Sequence, residues 1–361
     1  MPKPNRGNRV NQRQLAERLN LSIATVSRSL KGHPDIAPET RRRILQEANL
    51  LGYQGRESIA QGNCIVALIS ATVSEASASP VTEEFLRGIS AEAQASDILL
   101  VTHYLPDAPT CDTLPSEQQP IALRNGMANA VLLIHLFSNT LVQELARRFP
   151  IVSLAHYYPQ APCDFIDSDH IDGMETIVAH LVGLGHRELL FVSSLAGGVP
   201  NTRLASAFRA ANLHGAKLDP TRTVHFNISI PAAQRRAALS PTELISQQQG
   251  TARLVEAVRA GMSGLICDCD TTAFYVIQQL TEAGLQVPRD VSVTGFDGVY
   301  QFPNCPTITT YAVPFAAMGR RAVKEAIGRF GKTDQNHRLR IMLGGHLIEG
   351  QTASAPHTSS H

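Results

Sequence analysis

The chain has no tryptophan among its 361 residues, and its formal net charge is only +1. Its six cysteines (Cys64, Cys111, Cys163, Cys267, Cys269 and Cys305) show neither the spacing of a disulfide framework nor that of a zinc site. Cys267 and Cys269, in CDCD, stand too close together for a CxxC pair, and no second pair follows. Free thiols in a reducing cytoplasm are therefore expected. No stretch is long and apolar enough to span a bilayer. The opening MPKPNRGNRVNQRQ lacks the apolar run of a signal peptide. A G-x-S-x-G elbow, a P-loop and an HExxH motif are also missing. Gly183-Leu184-Gly185-His186 and Gly197-Gly198 are isolated glycines, short of a dinucleotide fingerprint. These absences argue against a secreted disulfide scaffold, a membrane protein and the commonest hydrolases. No cofactor and no metal is expected.

Hydrophobic residues make up 43% of the chain, enough for sizeable cores, and the length suggests two or three compact units. The near-neutral total conceals an asymmetry. Residues 1–62 carry 11 Lys and Arg against five acids, a net of +6, leaving 21 against 26 elsewhere, a net of −5. A basic head on an acidic body points to a polyanionic partner for the head alone.

The head reads as three short helices. The first runs from about Gln12 to Arg18 after Asn11, a good N-cap, and buries Leu15 and Leu19. Asn20 sits in a tight turn that needs a left-handed residue. Ser22 caps a second helix, Ile23 to Leu30, with Val26 and Leu30 facing inward. Pro38 opens the third, where Ile44, Leu45, Ala48 and Leu51 form the apolar stripe. This is the helix-turn-helix pattern. The small and polar side chains of the second helix suit a face that enters a major groove. Arg28 can reach a guanine edge or a phosphate, and Ile23 and Ala24 can meet thymine methyls.

NQRQLAERLNLSIATVSRSLKG, the Gly32-to-Ile36 spacing and ETRRRI…LGY resemble the head of the LacI/GalR (lactose and galactose repressor) family. Asn20 replaces the usual turn glycine, and Ala37 stands where serine is frequent. The resemblance implies a DNA-facing set of Asn11, Gln12, Ser22, Ile23, Ala24, Thr25, Ser27, Arg28, Lys31, Thr40, Tyr53 and Ile59. After the head, IVALI, DILLVTHYL, AVLLIHLF, PIVSLAH, RELLFVSS, GLICDC and VSVTGF read as parallel strands alternating with helices, an α/β body. DSDHIDGMETIVAHLVGLGHREL, TRLASAFRAA and LTEAGLQVPRDVSVTGFDG are similar to the family's effector-binding body. That implies two periplasmic-binding-protein-like lobes with parallel sheets, joined by three crossovers, with ligand in the cleft.

The same resemblance matches Arg203 and Asp297 to effector contacts, expected to face each other across the two lobes. Either could instead be structural, as a surface ion-pair partner or a turn residue. Asp172 and Asp270 are further candidates that could equally cap helices, and Phe315 could supply an apolar face. His103 and His135 end apolar strands, where they could face a ligand or merely hydrogen-bond. His186 and Arg187 suit a structural helix end. The cleft is expected to be less aromatic than a typical sugar site, because the paired aromatics usual near Val81 and Thr82 are missing. The linker YQGRESIAQGN is shorter than the family hinge by about one helical turn. Ile59 stands where the family places a minor-groove wedge, and whether so short a hinge folds is left open.

The resulting expectation is a head over 1–53, a hinge over 54–64, a two-lobed body over 65–352 and a disordered tail over 353–361. Functionally it is a cytoplasmic homodimeric repressor, binding a palindromic double-stranded operator under control of a small-molecule, carbohydrate-like effector. The rival is a cytoplasmic sugar-binding or sugar-processing protein whose basic head is incidental.

Overall fold

The structure is a computed structural model that describes residues 11–30, 33, 35–50, 63–71, 79–106, 108–115, 117–194, 199–226, 241–330 and 337–357. Its helices are α1 (Gln12–Leu19), α2 (Ile23–Leu30), α3 (Pro38–Leu50), α4 (Pro80–Ala95), α5 (Ile121–Arg124), α6 (Asn139–Ala146), α7 (His170–Gly183), α8 (Val199–Leu213), α9 (Pro241–Arg259), α10 (Asp270–Glu282) and α11 (Phe315–Gly328). Its strands are β1 (Cys64–Ile69), β2 (Leu99–Tyr104), β3 (Ala130–Ile134), β4 (Ile151–Leu154), β5 (Cys163–Ser168), β6 (Glu188–Ser193), β7 (Lys217–Leu218), β8 (Val224–His225), β9 (Gly264–Cys267), β10 (Ser292–Asp297), β11 (Thr309–Ala312), β12 (Arg340–Leu343) and β13 (His346–Ile348). All seven apolar runs read from the sequence became strands.

The chain forms two compact units from interleaved segments. Unit 1 comprises Met1–Ala76, Phe85–Ile166 and Gly319–Arg340; unit 2 comprises Ser77–Glu84, Asp167–Met318 and Ile341–His361.

Unit 1 opens with the three helices. Asn11 accepts the Gln14 N–H at 3.0 Å, and Gln14 Oε1 accepts the Asn11 N–H at 2.9 Å, a reciprocal capping box. Asn20 ends α1 at φ 54°, ψ 45°, the left-handed turn expected of it. Ser22 Oγ accepts the Thr25 N–H at 3.0 Å and so starts α2. Leu15, Ala16, Val26, Ile44 and Ala48 form the core, with Leu19, Leu21 and Leu30 packed against it. Buried Arg41 donates to the His33 carbonyl and pins the loop leading to α3.

The sheet of unit 1 runs β12-β5-β4-β3-β1-β2, and its pairs from β5 through β2 are parallel. Every residue of β1 and β3 is buried, as expected of central parallel strands. Six strands, β5, β7, β8, β11, β12 and β13, were not read from the sequence; β5 is notable among them for carrying two buried acids, Asp164 and Asp167. It is accommodated because Asp164 accepts two 2.8 Å bonds from Arg329 and a third, also 2.8 Å, from the Leu339 N–H. The pair joins β5 to the chain between α11 and β12.

Unit 2 has a sheet ordered β13-β11-β10-β9-β6-β7, with β8 also beside β6 and β13 antiparallel to β11. Its core holds Leu190, Val192, Leu265, Val276 and Val293. Arg187 donates to the Val182 carbonyl at 2.8 Å, the helix-end role expected of it. His186 Nε2 donates to the Ser354 carbonyl at 2.8 Å, and its Nδ1 accepts from Ser263 Oγ at 2.9 Å.

This overturns the expected disorder of the tail through residue 357. Thr352 exchanges bonds with Val293, and the Ser354 N–H donates to Ser292 Oγ at 3.0 Å. The composition is polar and flexible in appearance, yet β10 leaves backbone groups that this segment satisfies. Residues 358–361 lie outside the described residues.

Removing one partner of a buried ion pair leaves the other uncompensated, at about 3–5 kcal/mol. Asp164→Ala is expected to destabilise the protein by about that amount, read as a lower urea midpoint at unchanged m-value. Wild-type stability in the variant would show that the pair does not hold β5.

Candidate functional site

Two places gather the residues singled out in the sequence. The first is the outer side of α2. Val26 and Ser29 are buried, whereas Ser22, Ala24 and Arg28 are exposed and Ile23 is 48% exposed despite being apolar. Thr25 and Ser27 are half-buried, and the Thr25 hydroxyl lies 2.8 Å from Ser22 Oγ. Arg13, Arg18 and Arg42 are paired with Glu17, Glu47 and Glu39. Arg28 makes no ion pair or side-chain hydrogen bond among the described residues. Asn11 is exposed, and Gln12 and Thr40 are half-buried. Lys31, Tyr53 and Ile59 lie outside the described residues, as does the linker from 54 through 62.

The second place is in unit 2, at the carboxyl ends of β9 and β10. Arg203 of α8 is its centre, 9% exposed. Its Nε donates to His170 Nδ1 at 3.3 Å, Nη1 donates to the Asp268 carbonyl, and Nη2 lies 3.6 Å from Asp297 Oδ1. The guanidinium sits 3.9 Å from the ring centroid of Phe296. Because Nε can only donate, His170 Nδ1 holds the lone pair and Nε2 points its proton at Asp167 Oδ2, 3.2 Å away.

The neighbouring carboxylates are satisfied differently. Asp268 accepts from Ser193 Oγ at 2.9 Å, Ser194 N–H at 3.0 Å and Thr272 Oγ1 at 2.5 Å. Asp270 accepts from the Gly298 N–H at 2.7 Å and Thr310 Oγ1 at 2.6 Å. Only a glycine at 295 permits this, since a Cβ there would lie 2.2 Å from Asp270 Oδ1. Asp297 has Arg203 as its charge partner and adopts φ 128°, a region that strains a side-chain-bearing residue. Burial pushes its carboxyl up to about 8, with Arg203 opposing and Asp270 and Asp268 reinforcing the rise. Burial likewise raises Asp270 to about 6.

Arg203 and Asp297 were expected to face each other across two lobes. Both lie in unit 2, as direct neighbours, because α8 and the end of β10 belong to the same unit. Asp172 is not a helix cap: Asp169 caps α7, while Asp172 accepts the Tyr311 hydroxyl proton at 2.6 Å. Tyr311 packs 5.1 Å from Phe296, so Asp172 connects to the cluster through two rings. Phe315 is buried at the start of α11. His170, Asp268 and Phe296 were not anticipated from the sequence. The alternation CDCD at the end of an apolar strand was the available signal for Asp268. All six cysteines are free.

A carboxyl whose folded pKa is raised stabilises the fold most below its unfolded value near 4, and that contribution is lost as pH rises through about 8. Asp297→Asn removes this dependence. Its melting temperature relative to wild type is expected to rise between pH 4 and pH 8 and then level off, within roughly a unit. A difference constant with pH would show that Asp297 titrates normally.

Residues 178–353 match the model of a periplasmic binding protein-like domain. Over 351 residues the chain is 27% identical to the HTH-type transcriptional regulator MalR of Streptomyces coelicolor, covering 95% of this chain and 96% of that protein. Its fold is similar to that of the transcriptional regulator CelR in complex with cellobiose, with a TM-score of 0.62, 18% identity, and coverage of 95% of this chain and 100% of that one. The lac repressor dimer bound to operator and the anti-inducer ONPF gives a TM-score of 0.57 at 16% identity, covering 96% of this chain and 100% of that one. These likenesses cover 95% or more of the chain, the three-helix head as well as the two α/β units, and over that length the chain is similar to HTH-type transcriptional regulators and to the lac repressor.

Proposed function

We propose that this protein is a sequence-specific DNA-binding repressor whose operator affinity is set by a carbohydrate effector bound at the Arg203–Asp297 cluster. The observation that carries the reading is the outer side of α2, where an exposed Arg28, without an ion pair among the described residues, and an exposed Ile23 stand on a fully formed three-helix core. A solvent-facing isoleucine beside an exposed guanidinium suits a major groove, with its thymine methyls and guanine acceptors.

One short helix reads few base pairs, so the operator is taken to be palindromic and the protein a homodimer in the cytoplasm. The hinge, its wedge Ile59 and the head boundary at residue 53 belong to the same proposal. CelR holds cellobiose in its complex, and the cluster in unit 2 has the chemistry for sugar hydroxyls. A guanidinium has five N–H donors, and three of those of Arg203 are directed at protein partners. Two remain, next to a carboxyl that can both accept and, when protonated, donate. Effector and operator communicate only if the effector binds two conformations of the protein unequally.

Arg28→Ala is expected to lose about 1–3 kcal/mol of operator affinity per half-site while retaining wild-type circular dichroism. Footprinting on the protein's own operator reads this, and an unaltered footprint would remove Arg28 from the interface. For the cluster, a thermal-shift screen with neutral mono- and disaccharides identifies a ligand. Arg203→Lys keeps the charge but not the planar fork. It is expected to bind operator normally and to need about tenfold more of that sugar for release, a loss of roughly 1.4 kcal/mol. Release at the wild-type sugar concentration would exclude Arg203 as a contact.

A further inference from the structure

The crossover from β2 to β3, the two strands that flank β1, is unusual for parallel strands of one sheet. Such connections normally carry a helix, and the connection as a whole takes a dozen or more residues. Here, among the described residues, only Ile121–Arg124 is helical, and the described residues of 105–120 are irregular. Irregular connections of that length inside compact domains are uncommon and are often functional.

The stretch is nonetheless fastened. The Ser138 N–H donates to the Ala108 carbonyl at 2.8 Å, and Ser138 Oγ donates to the Cys111 carbonyl at 2.9 Å. Gln119 Nε2 donates to the Leu114 carbonyl at 2.7 Å, and Cys111 Sγ donates to the Thr113 carbonyl at 2.6 Å. Between this segment, the end of β2 and α6 lies a cavity of about 290 Å³. Leu105, Ala108, Leu114 and Leu141 line it, and all four belong to the core of unit 1. His103, Tyr104 and Gln118 also border it, and their side chains make no hydrogen bond among the described residues. No Asp, Glu, Lys or Arg of the described residues lines it.

From this geometry we infer that unit 1 carries a second small-molecule site, for an uncharged, mostly apolar ligand with one hydrogen-bonding group. The lining has the composition of a small-molecule pocket, an apolar floor with a few convergent polar groups. A charged ligand would lose its hydration there with no opposite charge among the described lining. The volume is roughly twice that of a 150 Å³ apolar cavity that accepts benzene, which suits a bicyclic ring. The hydrogen bonds that fasten the segment make the site preformed.

Indole, uncharged and bicyclic with a single N–H donor, is the probe. Titration of the full chain by calorimetry is expected to show saturable, submillimolar binding at one site per chain. At saturating indole, alkylation of half-buried Cys111 by N-ethylmaleimide is expected to slow about fivefold, because thiol reactivity follows exposure. Cys305 in unit 2 serves as the unaffected control. Ala108→Phe fills the cavity and is expected to weaken indole about tenfold, since a packed core does not yield to added volume. If that variant does not fold, Gln118→Trp closes the cavity from an exposed position and is expected to do the same. The inference is overturned if indole does not saturate, or if Cys111 is not protected by it. It is equally overturned if Cys111 becomes protected by raising protein concentration alone, since a second copy of the chain would then be the occupant.

Discussion

The buried guanidinium of Arg203 is the constraint around which unit 2 is arranged. A cation taken out of water costs several kcal/mol unless it is paired and hydrogen-bonded, and Arg203 meets this demand through three of its five N–H donors. It draws together His170 at the start of α7, the Asp268 carbonyl after β9 and the side chain of Asp297 at the end of β10. Its flat face rests on Phe296. Asp268 and Asp270 would otherwise accumulate negative charge around it, and are instead bound by hydroxyl and amide donors. That leaves Asp297 as the carboxyl with the least support and the most strained backbone. Strain of about 1–3 kcal/mol persists only where the surroundings over-determine it, and here they do.

The head depends on a different economy of residues. Its core is so small that capping hydrogen bonds matter as much as packing, and Asn11, Asn20 and Ser22 each fix one end of a helix. The side of α2 facing the core is occupied by Val26 and Ser29, so the opposite side is released from any structural duty. Small residues there let the helix approach closely, which is what a groove about 12 Å wide requires of a helix.

Much of this was legible in the sequence because it depends on local pattern. The caps, the left-handed turn at Asn20 and seven strands followed from spacing and apolar runs alone. Strand β5 did not, because Asp164 interrupts it and its partner Arg329 is distant along the chain; no local signal reports such a pair. The tail was misread for a related reason, since Thr352 and Ser354 are held by Val293, Ser292 and His186 rather than by their neighbours. In the candidate site, Arg203, Asp270 and Asp297 came from family likeness. Their mutual arrangement within one unit was missed, because a motif names residues without saying which of them touch.

The interleaving of the two units bears on how the protein is made. Unit 1 needs Asp164 and Arg329, which are bonded to each other, and unit 2 needs Val293 and Thr352. Synthesis proceeds from the N-terminus, so unit 1 waits for α11 and unit 2 waits for the strands and tail beyond it. Neither unit is finished until nearly the whole described chain has been translated. The three-helix head, by contrast, closes its core with residues 15–48. On the ribosome, the three-helix head has all of its core long before either α/β sheet can be completed.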